Sequence, residues 1–272
     1  MFEATVRDGV LRLRRPGTRW LSTGWDGGRS RGAAAYNVTV PEGFDRTDLG
    51  AYRDERLARA GFKKERGARG DDGADPPTLF TGVAMEHARG ARRGPVVAYA
   101  TVGLSNPAML PMDPAGEPDD GPVREPGAAA AESARRPGTV NLVCGTTRRL
   151  AAGAAENLVA VAAETKAATL LATADVPGTT SDAVVVADDP AGEPAAFSGS
   201  ATEVGAATRV CVRDAVRASL GSRYPDGDLP GPAGDAEHGA VARFRTRRPF
   251  LVTGEHISFP GRSGRHAVRT CT

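Results

Sequence analysis

Residues 138–186 decide the fold, and they read GTVNLVCGTTRRLAAGAAENLVAVAAETKAATLLATADVPGTTSDAVVV. A strand-like pattern over Thr139–Cys144 leads through a Gly-Thr-Thr turn into one long Ala-rich helical run. A second polar loop, Pro177–Asp182, then introduces a second strand at Ala183–Ala187. Polar groups therefore collect where strands meet turns and a helix, which is where proteins commonly place sites on a rigid scaffold.

The rest of the chain predicts strands first and long helices late. Alternating or apolar runs bounded by Gly, Pro and Asp predict strands at 2–14 (a hairpin), 19–25, 34–40, 77–83 and 94–103, and a helix from Asp45 to Gly61. A capping-box pattern, Ser200–Glu203, opens the second long helix. The order predicts an α+β or mixed α/β fold, a single sheet-rich domain with two long helices packed on the sheet.

Composition sets the limits of the domain. We expect the domain to span residues 1–224, with a mobile insertion at about 111–138, because that insertion is rich in Pro, Gly and acidic residues and cannot bury enough apolar surface to offset its ordering entropy. The Pro/Gly- and then Arg-rich residues 225–272 predict a disordered tail.

Charge, cysteines and motifs exclude several classes of function. A net charge of +2 predicts neither a nucleic-acid nor a membrane partner. Cys144, Cys211 and Cys271 are far apart, which predicts reduced thiols and a cytoplasmic protein without a metal site. The sequence has no Walker A motif, no strand-to-helix G-x-G-x-x-G and no G-x-S-x-G, so the common nucleotide-binding and α/β-hydrolase fingerprints are absent.

Seven segments together resemble the adenosylcobinamide amidohydrolase family (CbiZ), in its haloarchaeal form. They are RWLSTGWDGG (19–28), AAYNVTVPEG (34–43), PTLFTGVAMEHARGAR (77–92), VVAYATVGLSNPA (96–108), the run from 138 to 172, PGTTSDAVVV (177–186) and FSGSATEVGAATRVCVRDAV (197–216). The segments occur in the order typical of the family and cover most of residues 10–224. The resemblance implies hydrolysis of the amide that joins adenosylcobyric acid to its aminopropanol arm, in corrinoid salvage for cobalamin biosynthesis.

Polar groups at strand ends inside these segments are our candidates for the chemistry. Asp182 or Glu164 would act as the general base, on water or on the hydroxyl of Thr179 or Thr180. Lys166 or Asn106 would stabilise the oxyanion. Ser105 is the reserve nucleophile and His87 the candidate proton donor. The candidate substrate-binding residues are Asn37, Asn106, Asn141, Thr146, Thr147, Thr179, Ser198 and Thr202.

Other roles for these residues stay open at this point. Gly-Thr-Thr loops commonly cap helices and satisfy the backbone of turns, so each polar loop has a purely structural interpretation. A corrinoid-binding protein without catalysis is one alternative, and an amidase or peptidase with an N-terminal nucleophile, released by cleavage before a residue such as Thr146, is another. The expected partner is a small corrinoid, with homo-oligomerisation possible; no cofactor is expected, because the cobalt belongs to the substrate.

Overall fold

The computed structural model describes residues 2–62, 75–112, 139–229 and 240–241. Most of the insertion predicted to be mobile and most of the tail predicted to be disordered lie outside these residues. Within the predicted tail, Ala240–Val241 pairs with a short strand at Ala108–Met109.

The described residues form three α-helices, one short 3-10 helix and twelve strands. The helices are α1 (Leu49–Arg59), α2 (Ala154–Ala174), α3 (Glu203–Arg223) and the 3-10 turn Met85–His87. The strands are β1 (Glu3–Arg7), β2 (Val10–Ser22), β3 (Gly28–Thr39), β4 (Thr78–Thr81), β5 (Arg89–Arg93), β6 (Val96–Val102), β7 (Ala108–Met109), β8 (Val140–Thr146), β9 (Arg149–Leu150), β10 (Ala183–Asp188), β11 (Pro194–Ala195) and β12 (Ala240–Val241).

Eight of these strands make one mixed sheet, in the order β4-β3-β2-β10-β8-β6-β5 with β1 added beside β2. The predicted hairpin turn is present: Asp8 and Gly9 both have positive φ, which lets β1 return directly as β2. β8 and β10 run parallel because the α2 crossover joins them. Both strands are buried along their whole length, which explains their continuous apolar sequence.

The sheet is curled, so its β4 edge meets a strand near its other end. The side-chain amide of Asn141 on β8 donates to the carbonyl oxygen of Phe80 on β4, over 2.9 Å, although three strands separate them in the sheet order. A register shift between Arg14 and Thr18 divides the long β2–β3 hairpin where this bend is needed. Two strand segments predicted separately, 10–14 and 19–25, are thereby one bent strand that ends at Ser22.

Two opposite faces of the curled sheet are apolar. One face packs against α2 and α3 through residues such as Leu142, Leu158 and Val212. The other face points into the curl and contains Leu13, Trp20 and Val185 among others. A third apolar cluster lies under α1. The predicted α+β fold with two long helices on the sheet is confirmed.

One strand was not predicted, and two local predictions are wrong. Arg89–Arg93 forms edge strand β5 against β6. The N-cap of α3 is Thr202 instead of Ser200, because the Thr202 hydroxyl accepts the Gly205 N–H at 3.0 Å. The first helix begins at Leu49 instead of Asp45.

Candidate active site

Asp182 is the centre of a polar cluster at the edge of the sheet where β8 and β10 begin. Its Oδ1 accepts the Val140 N–H at 3.0 Å and the hydroxyl of Thr179. Its Oδ2 accepts the Thr179 N–H at 3.1 Å and the ammonium of Lys166. Four donors therefore fix the carboxylate in one orientation, and one of them is a hydroxyl that can exchange its proton with the carboxylate.

Lys166 reaches this carboxylate from the middle of α2. The side chains of the pair are only 12% and 13% exposed, so solvent screens their attraction weakly. Gly178 makes the close approach possible, because a Cβ at that position would overlap the Asp182 carboxylate and lie 2.5 Å from the Lys166 Nζ. A larger residue at position 178 would therefore obstruct the contact between Lys166 and Asp182.

The Asp182 loop is joined to the loop that follows β6. Thr180 N donates to the Asn106 carbonyl at 3.0 Å, and Ala108 N donates to the Gly178 carbonyl at 2.9 Å. Asn106 is fully buried beneath this junction. Two polar loops that the sequence separates by about seventy residues therefore form one surface, and Ser105 and Thr180 are exposed on it.

Hydroxyl groups continue along this surface. Thr139 Oγ1 lies 2.9 Å from Ser181 Oγ, directly before β8 and beside Asp182. Thr139 is buried, whereas Ser181 is exposed. Sequence reasoning did not select these two residues, although both stand in the polar ends of the stretch that decides the fold.

A buried amide network lies on the inner face of the curl, directly behind the cluster. Asn141 donates to Asn37 Oδ1 at 2.9 Å, and Asn37 donates in turn to Thr101 Oγ1 at 2.9 Å. These residues come from β8, β3 and β6, so the network joins strands that are distant in the sheet order. It fixes the curl at the same edge at which Asp182 lies.

Two proposed catalytic residues make their side-chain contacts outside the Asp182 cluster. Glu164 makes an ion pair with Arg209 across the exposed surface of α2 and α3, at 2.6 Å. His87 Nδ1 lies 3.1 Å from Ser222 Oγ near the end of α3. Both residues join neighbouring elements at the surface, and contacts of this kind contribute little to stability when they are exposed.

Four proposed substrate-binding residues lie at the other end of β8 or at helix starts. Thr146 Oγ1 accepts the Arg148 N–H at 3.2 Å, and Thr147 N donates to the Pro95 carbonyl at 2.9 Å. Ser198 donates to the Ala154 carbonyl at 2.5 Å, at the start of α2. Thr202 caps α3. The structure thus groups Asp182, Lys166, Thr179, Thr180, Ser105, Asn106, Asn141 and Asn37, and separates these four from them.

A groove of about 630 Å³ lies elsewhere, between α2 and α3. Its walls carry Arg209, Arg213 and Arg217 on α3 and small residues such as Ala168 on α2. Asp182 does not line it. A carboxylate in contact with a hydroxyl and an ammonium can transfer protons, whereas the arginines of the groove remain cationic.

The Asp182 carboxylate, which is 13% exposed and contacts a hydroxyl and an ammonium, supplies groups that hydrolysis of an amide can use. Comparison with known proteins identifies the family. The model of the adenosylcobinamide amidohydrolase family matches residues 2–227. The chain belongs to the adenosylcobinamide amidohydrolase family, as the resemblance of its segments predicted.

A relative from Halobacterium salinarum bears the same description, adenosylcobinamide amidohydrolase. It is 58% identical to this chain over 241 residues, which cover 89% of this chain and 96% of the relative. The match to a halophilic archaeal protein confirms the predicted haloarchaeal character of the sequence. Both the polar loops around Asp182 and the sheet that holds them lie inside the span matched by the family model.

Proposed function

We propose that this protein hydrolyses adenosylcobinamide to adenosylcobyric acid and 1-aminopropan-2-ol. Membership of the adenosylcobinamide amidohydrolase family supports this reaction. The observation that carries the proposal is the cluster at Asp182, where a carboxylate, a hydroxyl and an ammonium meet at one edge of the sheet. The released acid can then re-enter cobalamin synthesis.

Thr179 is the proposed nucleophile and Asp182 its general base. The Thr179 oxygen bonds to the amide carbon while its proton passes to Asp182 Oδ1, with which it already makes a hydrogen bond. The carbonyl electron pair moves to oxygen, and the positive charge of Lys166 favours that oxyanion. Collapse of the intermediate releases the amine, which takes the proton from Asp182.

Water completes the reaction. The acyl group on Thr179 is attacked by a water molecule whose proton passes to Asp182, and Thr179 recovers its proton when the acid leaves. Direct attack by water on the amide, with Asp182 as base, uses the same carboxylate. The residue roles rest on the contacts around Asp182, and the cobalt is treated as part of the substrate.

The exposed groups around the cluster are the proposed contacts for the polar arms of the corrinoid. Ser105 and Thr180 present their side chains on the joined loops, and Asn106 lies beneath them. We propose that the reaction takes place in the cytoplasm. Among the described residues, no helix is long and apolar enough to cross a membrane.

The proposal is tested by incubating the purified protein with adenosylcobinamide and separating the corrinoids by chromatography. The expected result is conversion to adenosylcobyric acid with release of one equivalent of 1-aminopropan-2-ol, identified by mass spectrometry. Binding of the corrinoid without conversion would favour the non-catalytic alternative. An intact chain in the active preparation would exclude the N-terminal-nucleophile alternative, since that mechanism requires cleavage before Thr146 or a similar residue.

A further inference from the structure

Trp25 is an exposed aromatic residue in the loop that joins β2 to β3. Its relative exposure is 37%, whereas Trp20, the other tryptophan of the chain, is buried at 2%. The exposed part of the ring offers an aromatic surface to a ligand. The backbone beside Trp25 connects it to the Asp182 cluster.

The pairing of β2 with β10 brings the loop that carries Trp25 to the start of β10, the strand that directly follows Asp182. Ser22 is opposite Val185 in this antiparallel pair, and Thr23 N donates to the Val184 carbonyl at 3.0 Å. Trp25 follows Thr23 by two residues and Asp182 precedes Val184 by two residues, so both stand just beyond this end of the β2–β10 pair. The intervening pair is in contact, because a Cβ on Gly24 would lie 3.7 Å from the Ala183 Cβ.

The Trp25 ring is supported from behind. Its centroid lies 5.9 Å from that of Phe80, and the Arg53 guanidinium lies 5.9 Å from the ring centroid. Arg53 is almost fully buried and is itself held by ion pairs to Asp54 and Asp75. The ring is thus held in place while part of its surface stays exposed, which favours stacking because little side-chain entropy is lost on binding.

We propose that Trp25 is a substrate-binding platform that stacks on a conjugated ring of the corrinoid. This inference rests on the proposed function. Adenosylcobinamide offers two such rings, the corrin macrocycle and the adenine. Stacking on an aromatic side chain is governed by the shared π-face, so either ring satisfies the geometry.

The test measures corrinoid binding by equilibrium dialysis in an Asp182→Asn background, which removes turnover under the proposed mechanism. Trp25→Leu keeps an apolar contact with Phe80 but removes the π-face, and Trp25→Phe restores a smaller ring. We expect Trp25→Leu to raise Kd about tenfold and Trp25→Phe to raise it no more than about threefold. In the otherwise unaltered enzyme, Trp25→Leu should raise KM and leave kcat within about twofold.

Phe197 offers a matched control. It is 76% exposed on the opposite side of the molecule, beside the start of α3, so Phe197→Ala removes an exposed ring that has no part in the site. The Kd of the Phe197→Ala variant should equal that of the Asp182→Asn protein. Thermal melting checks that every variant is folded, and Trp25→Met replaces Trp25→Leu if that variant is unfolded.

Two ligands distinguish stacking on the corrin ring from stacking on the adenine. A loss seen with both adenosylcobinamide and hydroxocobinamide assigns the corrin ring, and a loss confined to adenosylcobinamide assigns the adenine. An unchanged Kd for both ligands overturns the inference, as does an equal loss for Trp25→Phe and Trp25→Leu. Failure of the proposed function is recognised separately, since dialysis measures binding whether or not the wild-type protein hydrolyses the ligand.

Discussion

At the scale of single residues, the Thr179 hydroxyl donates to Asp182, which lies three residues further along the same loop. The same carboxylate accepts two backbone N–H groups and the Lys166 ammonium, so it is oriented before any substrate arrives. Preorganised groups of this kind stabilise charge in a transition state without reorganising at the moment of reaction.

Replacing Thr179 tests its assignment as the nucleophile. Thr179→Val keeps the shape of the side chain but removes the hydroxyl, so we expect kcat to fall by at least about 100-fold. Thr179→Ser should keep measurable turnover because it keeps the hydroxyl. The measurement is the initial rate of adenosylcobyric acid formation at saturating substrate.

Thr173→Val is the control for this pair. Thr173 donates to the Thr169 carbonyl within α2 at 2.7 Å, so its loss removes a threonine hydroxyl that lies outside the site. It should leave kcat unchanged. Wild-type turnover in a folded Thr179→Val protein would show that this hydroxyl does not take part, and attack by water would then replace it in the mechanism.

At the scale of elements, the start of α3 gives a structural role to a residue that was proposed to bind substrate. Thr202 was a candidate for substrate binding, but its hydroxyl accepts the Gly205 N–H at 3.0 Å and donates to the Gly199 carbonyl at 2.8 Å. Both bonds satisfy the backbone at the helix start, which is the usual task of an N-cap threonine.

Thr202→Ala should therefore lower the free energy of unfolding by about 1 kcal/mol, because the first turn of α3 loses its cap. Chemical denaturation measures this change, and Thr202→Ser, which keeps the cap, should be close to wild type. KM and kcat should not change. A rise in KM without a change in stability would instead return Thr202 to the binding site.

The sequence was sufficient for the elements with strong local signals. Gly-Thr-Thr loops, the apolar strands around them and the Ala-rich helix predicted β8, α2 and β10, because period, turn residues and length all agree there. β5 was missed because Arg89–Arg93 is short and polar, as an edge strand can be when only one side is paired.

The composition of the site could be predicted only in part. Asp182, Thr179 and Asn106 were proposed because they stand at strand ends, and the family resemblance drew attention to their segments. The pairing of Lys166 with Asp182 could not be found, since it depends on how α2 packs across the sheet. The role of Asn37 as a partner of Asn141 depends likewise on the curl, a tertiary feature with no local signal.

At the scale of the whole molecule, two thiols report on the integrity of the core. Cys144 and Cys211 are both buried in the cluster between the sheet and the long helices. Burial raises the pKa of Cys144 from 9.0 to about 12, and burial also raises the pKa of Cys211. The thiolate is the reactive form, so both groups should be inert in the folded protein.

Thiol labelling checks this prediction in a Cys271→Ser protein, which carries only these two cysteines. We expect labelling at about pH 8 to be at least about 100-fold slower in the folded state than in guanidinium chloride. Because the folded pKa of each thiol is raised, the unfolded state loses its proton first, and the free energy of unfolding should fall as pH rises above about 9. Rapid labelling of the folded protein would contradict the packing of this cluster.

The most direct test of the account is the turnover of adenosylcobinamide by Asp182→Asn. Asparagine keeps the size of the side chain but cannot take the proton of the nucleophile, so kcat should fall by at least about 100-fold. Glu164→Gln is the matched control and should keep wild-type kcat, because Glu164 lies on the surface beside Arg209. Wild-type turnover by a folded Asp182→Asn protein would contradict the assignment of the active site to this cluster.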